Sequence, residues 1–448
     1  MDFDFSNTSF SFLASIVVAI LGIGYPLFLN NIRGIDEQYR STRLARRFQK
    51  EHCFTQYKQW LILSIAVSVA APFVMLMVGC INVNVLVEGV QCLVVLFLVW
   101  RMLQLFNLIS KYYDIGQICF HLGITGEIDN DVKCDEDKLL CAIDIMKYAS
   151  FNGDYCIYDT CRKYLYKAVR NDSQKSVGDT YNMGEVIQKA FFQIANYSTD
   201  KEHTYLYNES LISECLYSAN PKRFNGECTR KVLWLHLLRM MDTDSTLWFR
   251  DYWRRATQYY SMDISHGDGK DEAEWEAIKN NLRDFEEMHW MAGAALVHYK
   301  KYEWLRFALF YSNVSPAKYP LVPSSFQDIL DAAMQLRQKL VKPGIVEYDY
   351  LIEQMLNNGS DAIYMMYELA MKYFALLVIR CSILKETEKL APHSMPEDSD
   401  DRNFMKSVAQ EIYTNIDYWY NESLIHRLQF PILPQEEEVR MKFNPTTW

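Results

Sequence analysis

The sequence contains no C-x-x-C pair, which removes zinc-ribbon and thioredoxin-type chemistry. It also lacks GxxxxGK[ST], GxGxxG, HExxH and GxSxG. The phosphate loop, the dinucleotide turn, the helical zinc site and the nucleophile elbow are thereby removed. Its eleven cysteines are scattered, Cys156 and Cys161 being a close pair, so they outline no disulfide framework and read as reduced thiols. Alternating strand patterns are scarce. The most informative lack is of charge. Residues 5–32 carry none, nor do residues 59–87, and from 59 to 100 the single charged side chain is Glu88.

Runs of this length exceed what is needed to cross a hydrocarbon layer about 30 Å thick. Three spans are expected, at 11–29, 60–79 and 85–103. The residues ahead of the first span, MDFDF, hold two aspartates and no basic residue. They lack the basic region of a cleavable leader, so the first run reads as a retained helix. Between spans one and two, residues 31–58 carry Arg33, Arg40, Arg43, Arg46, Arg47, Lys50 and Lys58 against three acids. A short basic loop stays cytoplasmic. The expected topology therefore has the N-terminus outside, a turn at 81–84 outside, and everything after about residue 106 in the cytosol. The loop itself reads as helix. Arg40, Arg43, Arg46 and Arg47 suit anionic headgroups. The alternative is a rigid extension that couples spans one and two to the soluble region. Ser64, Ser68 and Pro72, with Ala66, Ala70 and Ala71, give the second span a close-packing face.

From residue 107 onward apolar residues recur at three- and four-residue spacing, with breakers between segments. The fold class expected is mainly α: a three-helix transmembrane part at 1–106, a large all-α helical bundle or irregular solenoid at 107–428, and a tail at 429–448. Expected helices include 245–260, 272–299, 347–356, 360–389 and 402–428. Asp244 and Ser324 are the expected caps of the helices after them. The segment YFALLVIRCSIL is interrupted by Glu368, Lys372 and Arg380 and reads as a central buried helix. The irregular tail, closing on Trp448, is expected to dock on something, such as a neighbouring subunit.

Four groups of residues invite a functional reading. Glu88, with Asn82, Asn84 and Gln91, would line a pore if several copies met at an axis, because carboxylate rings favour cations. The plain alternative is a carboxylate marking the membrane interface. The helix LWFRDYWRRATQYY offers Arg250, Trp253, Arg254 and Arg255 to a stacked anionic ligand. Its plain alternative is a core-facing aromatic stripe with Arg–Asp pairs outside. Arg283 and His289, six apart, match the Arg/His spacing of helical HEPN-type ribonucleases, as do Arg47/His52 and Arg230/His236. The loop SHGDGKDE lacks calcium-loop spacing. Net charge of −10 speaks against long nucleic acid, though not against a small nucleotide or short oligonucleotide in a local pocket.

A few spans placed before a large helical cytosolic region resemble the layout of bacterial anti-phage (abortive-infection) membrane effectors. That resemblance implies an inner-membrane location, a homo-oligomer such as a tetramer, and a breach of the membrane on a trigger. The expectation is therefore a channel or pore-forming effector gated by its helical domain. No enzymatic activity, cofactor or metal is expected, and its partners are the lipid bilayer, other copies of itself and a small ligand or partner defence protein. A membrane-tethered helical adaptor and a membrane-anchored HEPN-like ribonuclease are the alternatives.

Overall fold

The computed structural model describes residues 5–78, 81–124, 135–176, 180–219, 224–267, 269–314, 321–341, 355, 362–384 and 388–448. The described residues are 83% helical with almost no strand. Among the described residues four helices are long and apolar enough to cross a membrane: Ser11–Tyr39, His52–Met75, Val85–Tyr113 and Ala362–Leu384. Contacts divide the chain into two compact units, Met1–Leu165 and Tyr166–Trp448. The boundary expected near residue 106 falls inside a continuous helix.

In the first unit, α1 (Phe5–Ala19) passes through a π-helical turn, Ile20–Gly24, into α2 (Tyr25–Tyr39). Pro26 explains that turn. Proline lacks an N–H and crowds the carbonyl four residues back, and a wider turn relieves the clash without ending the helix. The amphipathic helix α3 (Thr42–Lys50) comes next, capped by the Ser41 hydroxyl, which accepts from Leu44 N. Then come α4 (His52–Val78), which carries Pro72 in its interior, and α5 (Ile81–Tyr113). Residues 81–84, expected as a turn, form the first turn of α5. Its 33 residues extend roughly 50 Å, well beyond a hydrocarbon layer.

The seam between α4 and α5 obeys a three-four spacing. Phe54, Tyr57, Leu61, Ser64 and Ala71 are buried on α4; Gln91, Val95, Leu98, Leu105 and Tyr112 are buried on α5. Trp60 stacks on Phe97 with ring centroids 5.1 Å apart across the antiparallel pair. Counted back from the facing helix ends, Val78 and Ile81, Leu61 falls at the depth of Leu98, Ser64 at that of Val95, Ser68 at that of Gln91 and Ala71 at that of Glu88. Phe28 of α2 closes the inner end of the bundle against Tyr57 and Phe106. Outward-facing Ile62, Leu63, Val69, Phe73, Val85, Leu86, Val90, Leu93 and Leu96 are exposed, as a lipid-facing surface requires.

Beyond the spans, α6 (Ile115–His121) and α7 (Glu136–Asn152) complete the unit, and α8 (Tyr155–Lys175) carries the chain onward. The second unit holds β1 (Thr180–Tyr181), α9 (Glu185–Tyr197), α10 (Thr204–Asn208), α11 (Leu211–Glu214) and β2 (Phe224–Asn225), the two strands pairing parallel over two residues. Next come α12 (Glu227–Met241), α13 (Thr246–Gly267), α14 (Glu272–His298), α15 (Tyr302–Val314) and α16 (Phe326–Val341). The expected helix at 347–356 lies almost wholly outside the described residues. After it stand α17 (Ala362–Leu384), α18 (Ser399–Thr414), α19 (Ile416–Tyr420), α20 (Leu424–Arg427) and α21 (Glu436–Lys442).

Helix α17 is the centre of this unit's core. Met366 and an unbroken stretch from Leu369 to Met371 and from Tyr373 to Ser382 are buried. Gly293 of α14 lets the two helices touch. An added Cβ there would collide with the Tyr373 ring. The tail docks on its own unit, with Trp448 packing against Phe326 and Phe443 while its carbonyl accepts from Lys406 Nζ at 2.7 Å. Aromatic burial accounts for that docking without a second subunit.

Candidate functional site

The three spans present apolar side chains outward, so the polar groups on their shared inner face define the site. The Ser64 hydroxyl donates to Trp60 O at 2.8 Å, the self-satisfied arrangement usual for a serine in a span. One turn further along the seam the pattern changes. Gln91 is 1% exposed, yet neither atom of its amide has a partner. Ser68 Oγ and Glu88 Oε1, also shut off from solvent, have none either. By the count from the helix ends, Ser68 falls at the depth of Gln91. Glu88 sits three residues from Gln91 on the same face of α5. A buried polar group left unpaired costs about 1–3 kcal/mol, and more if charged. Three such groups are concentrated in one layer of the seam. Asn82 and Asn84 lie on the first turn of α5, and their side chains are outside the described residues.

Among the described residues of α4 and α5, none that is basic lies fewer than ten positions from Ser68, Glu88 or Gln91. Arg101, ten positions along α5 from Gln91 and therefore about 15 Å away, is engaged with Gln104 Oε1 at 2.6 Å and lies over the Trp100 ring.

The basic loop has a definite set of partners within its own unit. Asp144 of α7, 4% exposed, accepts from Ser41 Oγ at 2.5 Å and from Arg43 at 3.2 Å. Arg47 faces Asp135 at 3.9 Å, Lys50 faces Asp137 at 3.4 Å, and Arg40 covers the Phe151 ring at 4.8 Å. Arg46 turns outward and touches Thr42. Glu51, between α3 and α4, accepts from Tyr112 of α5 at 3.0 Å and pairs with His121 of α6 at 3.2 Å. This collar of ion pairs clamps α3 to α7 and ties both spans to it.

In the second unit the α13 residues separate by face. Trp253 is 2% exposed and packs with Phe249 and His289. Arg254 and Arg255 pair with Asp251, and Arg255 also reaches Glu214. Arg250 lies over Phe307. The stripe thus belongs to the core, its arginines engaged along the outer face. Arg283 is exposed and bonds Asn280. His289 is buried, with Nδ1 at 2.7 Å from Phe285 O and Nε2 at 3.0 Å from the Tyr252 hydroxyl. Burial pushes this imidazole down to about 4. The two residues do not converge on a common opening. A cavity of about 320 Å³ in this unit is lined by Tyr260, Glu286, Trp290, Asp328, Asp331 and Gln335, among others. Burial raises the carboxyls of Glu286 and Asp331. Among the described residues no group of three His, Cys, Asp or Glu side chains is placed to hold a metal ion.

Compared with known proteins, the chain matches no family model, no curated protein and no solved structure.

Proposed function

We propose that the chain is a homo-oligomeric channel or pore-forming effector of the bacterial inner membrane, gated by its helical domain, of the kind used in anti-phage defence. The observation that carries this reading is the unsatisfied layer of Ser68, Glu88 and Gln91 inside an otherwise lipid-compatible hairpin. A helix pair that served only to anchor would not keep a carboxylate oxygen and an amide without partners in hydrocarbon. Gln91, Ser68 Oγ and Glu88 Oε1 are shut off from solvent, which supports assigning this conformation to a closed state. Opening separates the seam or turns the layer toward an axis shared between copies. The collar supports the gating half of the proposal, because it fixes α3, α4, α5 and α7 as one lever.

The test is expression of the full chain in bacterial cells with a membrane-potential dye. Depolarisation is expected from the parent chain, and a strongly reduced signal from Glu88→Ala at equal membrane abundance. A fully inserted parent chain that leaves the potential unchanged at every expression level sinks the channel reading. A single stoichiometric partner recovered from the membrane would then select the tethered adaptor.

A further inference from the structure

The unsatisfied layer has the composition of a small coordination site. We propose that the α4–α5 seam of each protomer holds one monovalent metal cation, bound by the Glu88 carboxylate, the Gln91 amide oxygen and the Ser68 hydroxyl. The inference rests on the membrane reading above and places the ion within one protomer, not on a symmetry axis.

Four observations carry it. Gln91 is 1% exposed with both amide atoms unpaired, so its carbonyl oxygen has an unmet need for a positive partner. Glu88 Oε1 and Ser68 Oγ are unpaired at the same end of the seam. The opposing helix carries small side chains at that depth, Ala71 opposite Glu88 and Ser68 opposite Gln91 when both helices are counted from Val78 and Ile81. No Lys or Arg occurs in residues 59–100, so nothing within the spans neutralises the carboxylate.

The ligand class is set by the donors. All three are hard oxygens, which suit alkali and alkaline-earth ions over transition metals. They bring one negative charge between them. Calcium takes six to eight oxygens and commonly several carboxylates, and magnesium demands a near-ideal octahedron. One carboxylate with two neutral oxygens balances a single positive charge. Binding satisfies the layer and cancels the charge together, so the closed hairpin is stabilised by the ion it holds.

The experiment uses the full chain purified in detergent. Its unfolding midpoint is measured while N-methyl-D-glucamine chloride is replaced by LiCl, NaCl or KCl at constant ionic strength. A saturable upward shift is expected with at least one alkali ion, as mass action requires of a ligand that binds only the folded state. Glu88→Gln should abolish the shift without lowering the midpoint in N-methyl-D-glucamine, since it removes the charge that needs the ion. Gln91→Leu should move the saturation point to higher salt. Equal midpoints in all four salts, or a shift that survives Glu88→Gln, overturns the site. Depolarisation without the alkali shift would leave the channel and remove the site. The shift without depolarisation would leave the site and remove the channel.

Discussion

Ser64 and Ser68 are one turn apart on α4 and illustrate how much of the site depends on a single atom's partner. The first hydroxyl is satisfied by its own helix, while the second is shut off from solvent with no partner. The sequence shows both as small residues on one face; the difference emerges only once the hairpin register is set. Glu88 was legible as an anomaly, because charge is absent around it. Gln91 was harder to weigh, since a glutamine in an apolar run carries no charge signal, yet it is the more deeply buried of the two. Two further residues give sharp expectations. Burial holds the imidazoles of His236 and His289 down, to about 3 and about 4 from 6.5, with Arg239 adding to the effect at His236. Both stay neutral in the fold, whereas the unfolded chain protonates them near 6.5. The unfolded state therefore binds more protons between these values, and stability falls as pH drops through that window. At pH 5 each histidine costs about 2 kcal/mol. Glu286 and Glu287, raised by burial, act in the opposite sense as pH rises past their ordinary 4.5. His236→Phe, at a site where Nε2 has no partner, should flatten the dependence of the unfolding midpoint on pH between 5 and 7. An unchanged slope would show that His236 is not neutral in the fold. Gly293→Ala should cost about 1–3 kcal/mol by forcing the Tyr373 ring aside. Adding Tyr373→Leu to that variant should recover part of the loss, which a thermal melt of the pair would read.

Among the elements, those with long uniform patterns were readable and those defined by a distant partner were not. The apolar runs give the spans, and their three-four periodicity gives the α4–α5 seam. The start of α5 was displaced by four residues, because Asn82 and Asn84 read as turn formers while the structure continues them as helix. Caps moved by one position. Asp244 and Ser324 were expected, but the Ser245 hydroxyl accepts from Trp248 N and the Ser325 hydroxyl from Asp328 N. Neighbouring polar residues compete for a cap, and backbone geometry chooses between them. Helix α3 is the clearest case of an unreadable partner. Its basic side chains invite a membrane reading, and the acids that hold them, Asp135, Asp137 and Asp144, lie some ninety residues further on. Exposed pairs of this kind contribute little singly, whereas buried Asp144 supports both Ser41 and Arg43. Asp144→Ala should therefore destabilise the collar by about 1–3 kcal/mol, because buried Ser41 loses its acceptor while Arg43, 29% exposed, keeps its hydration. Amide exchange over 42–50 should quicken in that variant. Asp137→Ala, which removes a pair whose side chains are 68% and 49% exposed, should leave that exchange nearly unchanged. Equal effects from the two substitutions would mean that the collar is held by surface charge.

For the whole molecule, the sequence carried the fold class because hydrophobic period and charge segregation are global signals. Helix α7 belongs to the first unit, where it buries Leu139, Leu140, Ile143, Ile145 and Met146 besides pairing through Asp144, and its apolar pattern alone does not distinguish it from the helices that follow. The orientation across the bilayer rests on the positive-inside rule, and three cysteines allow it to be read directly. Cys156 and Cys228 are exposed, one in each unit, and Cys92 is exposed on the outward face of α5 among lipid-facing residues. With the N-terminus outside and an odd number of spans, Cys156 and Cys228 face the cytosol. A membrane-impermeant maleimide added to intact spheroplasts should leave both unlabelled. After permeabilisation it should label both, and Cys92 should stay unreactive as long as the bilayer is whole, because a thiol facing hydrocarbon does not meet a water-soluble reagent. Each site is read in a chain whose other cysteines are replaced by serine or alanine. Labelling of Cys156 in intact spheroplasts would reverse the topology and put the collar outside. Opposite behaviour of Cys156 and Cys228 would mean that a further helix crosses between them, and Ala362–Leu384, the fourth apolar helix, would have to be reconsidered alongside it. Matching protection of the two thiols puts both exposed surfaces in the cytosol, which is what the proposed action of the helical domain on its spans requires.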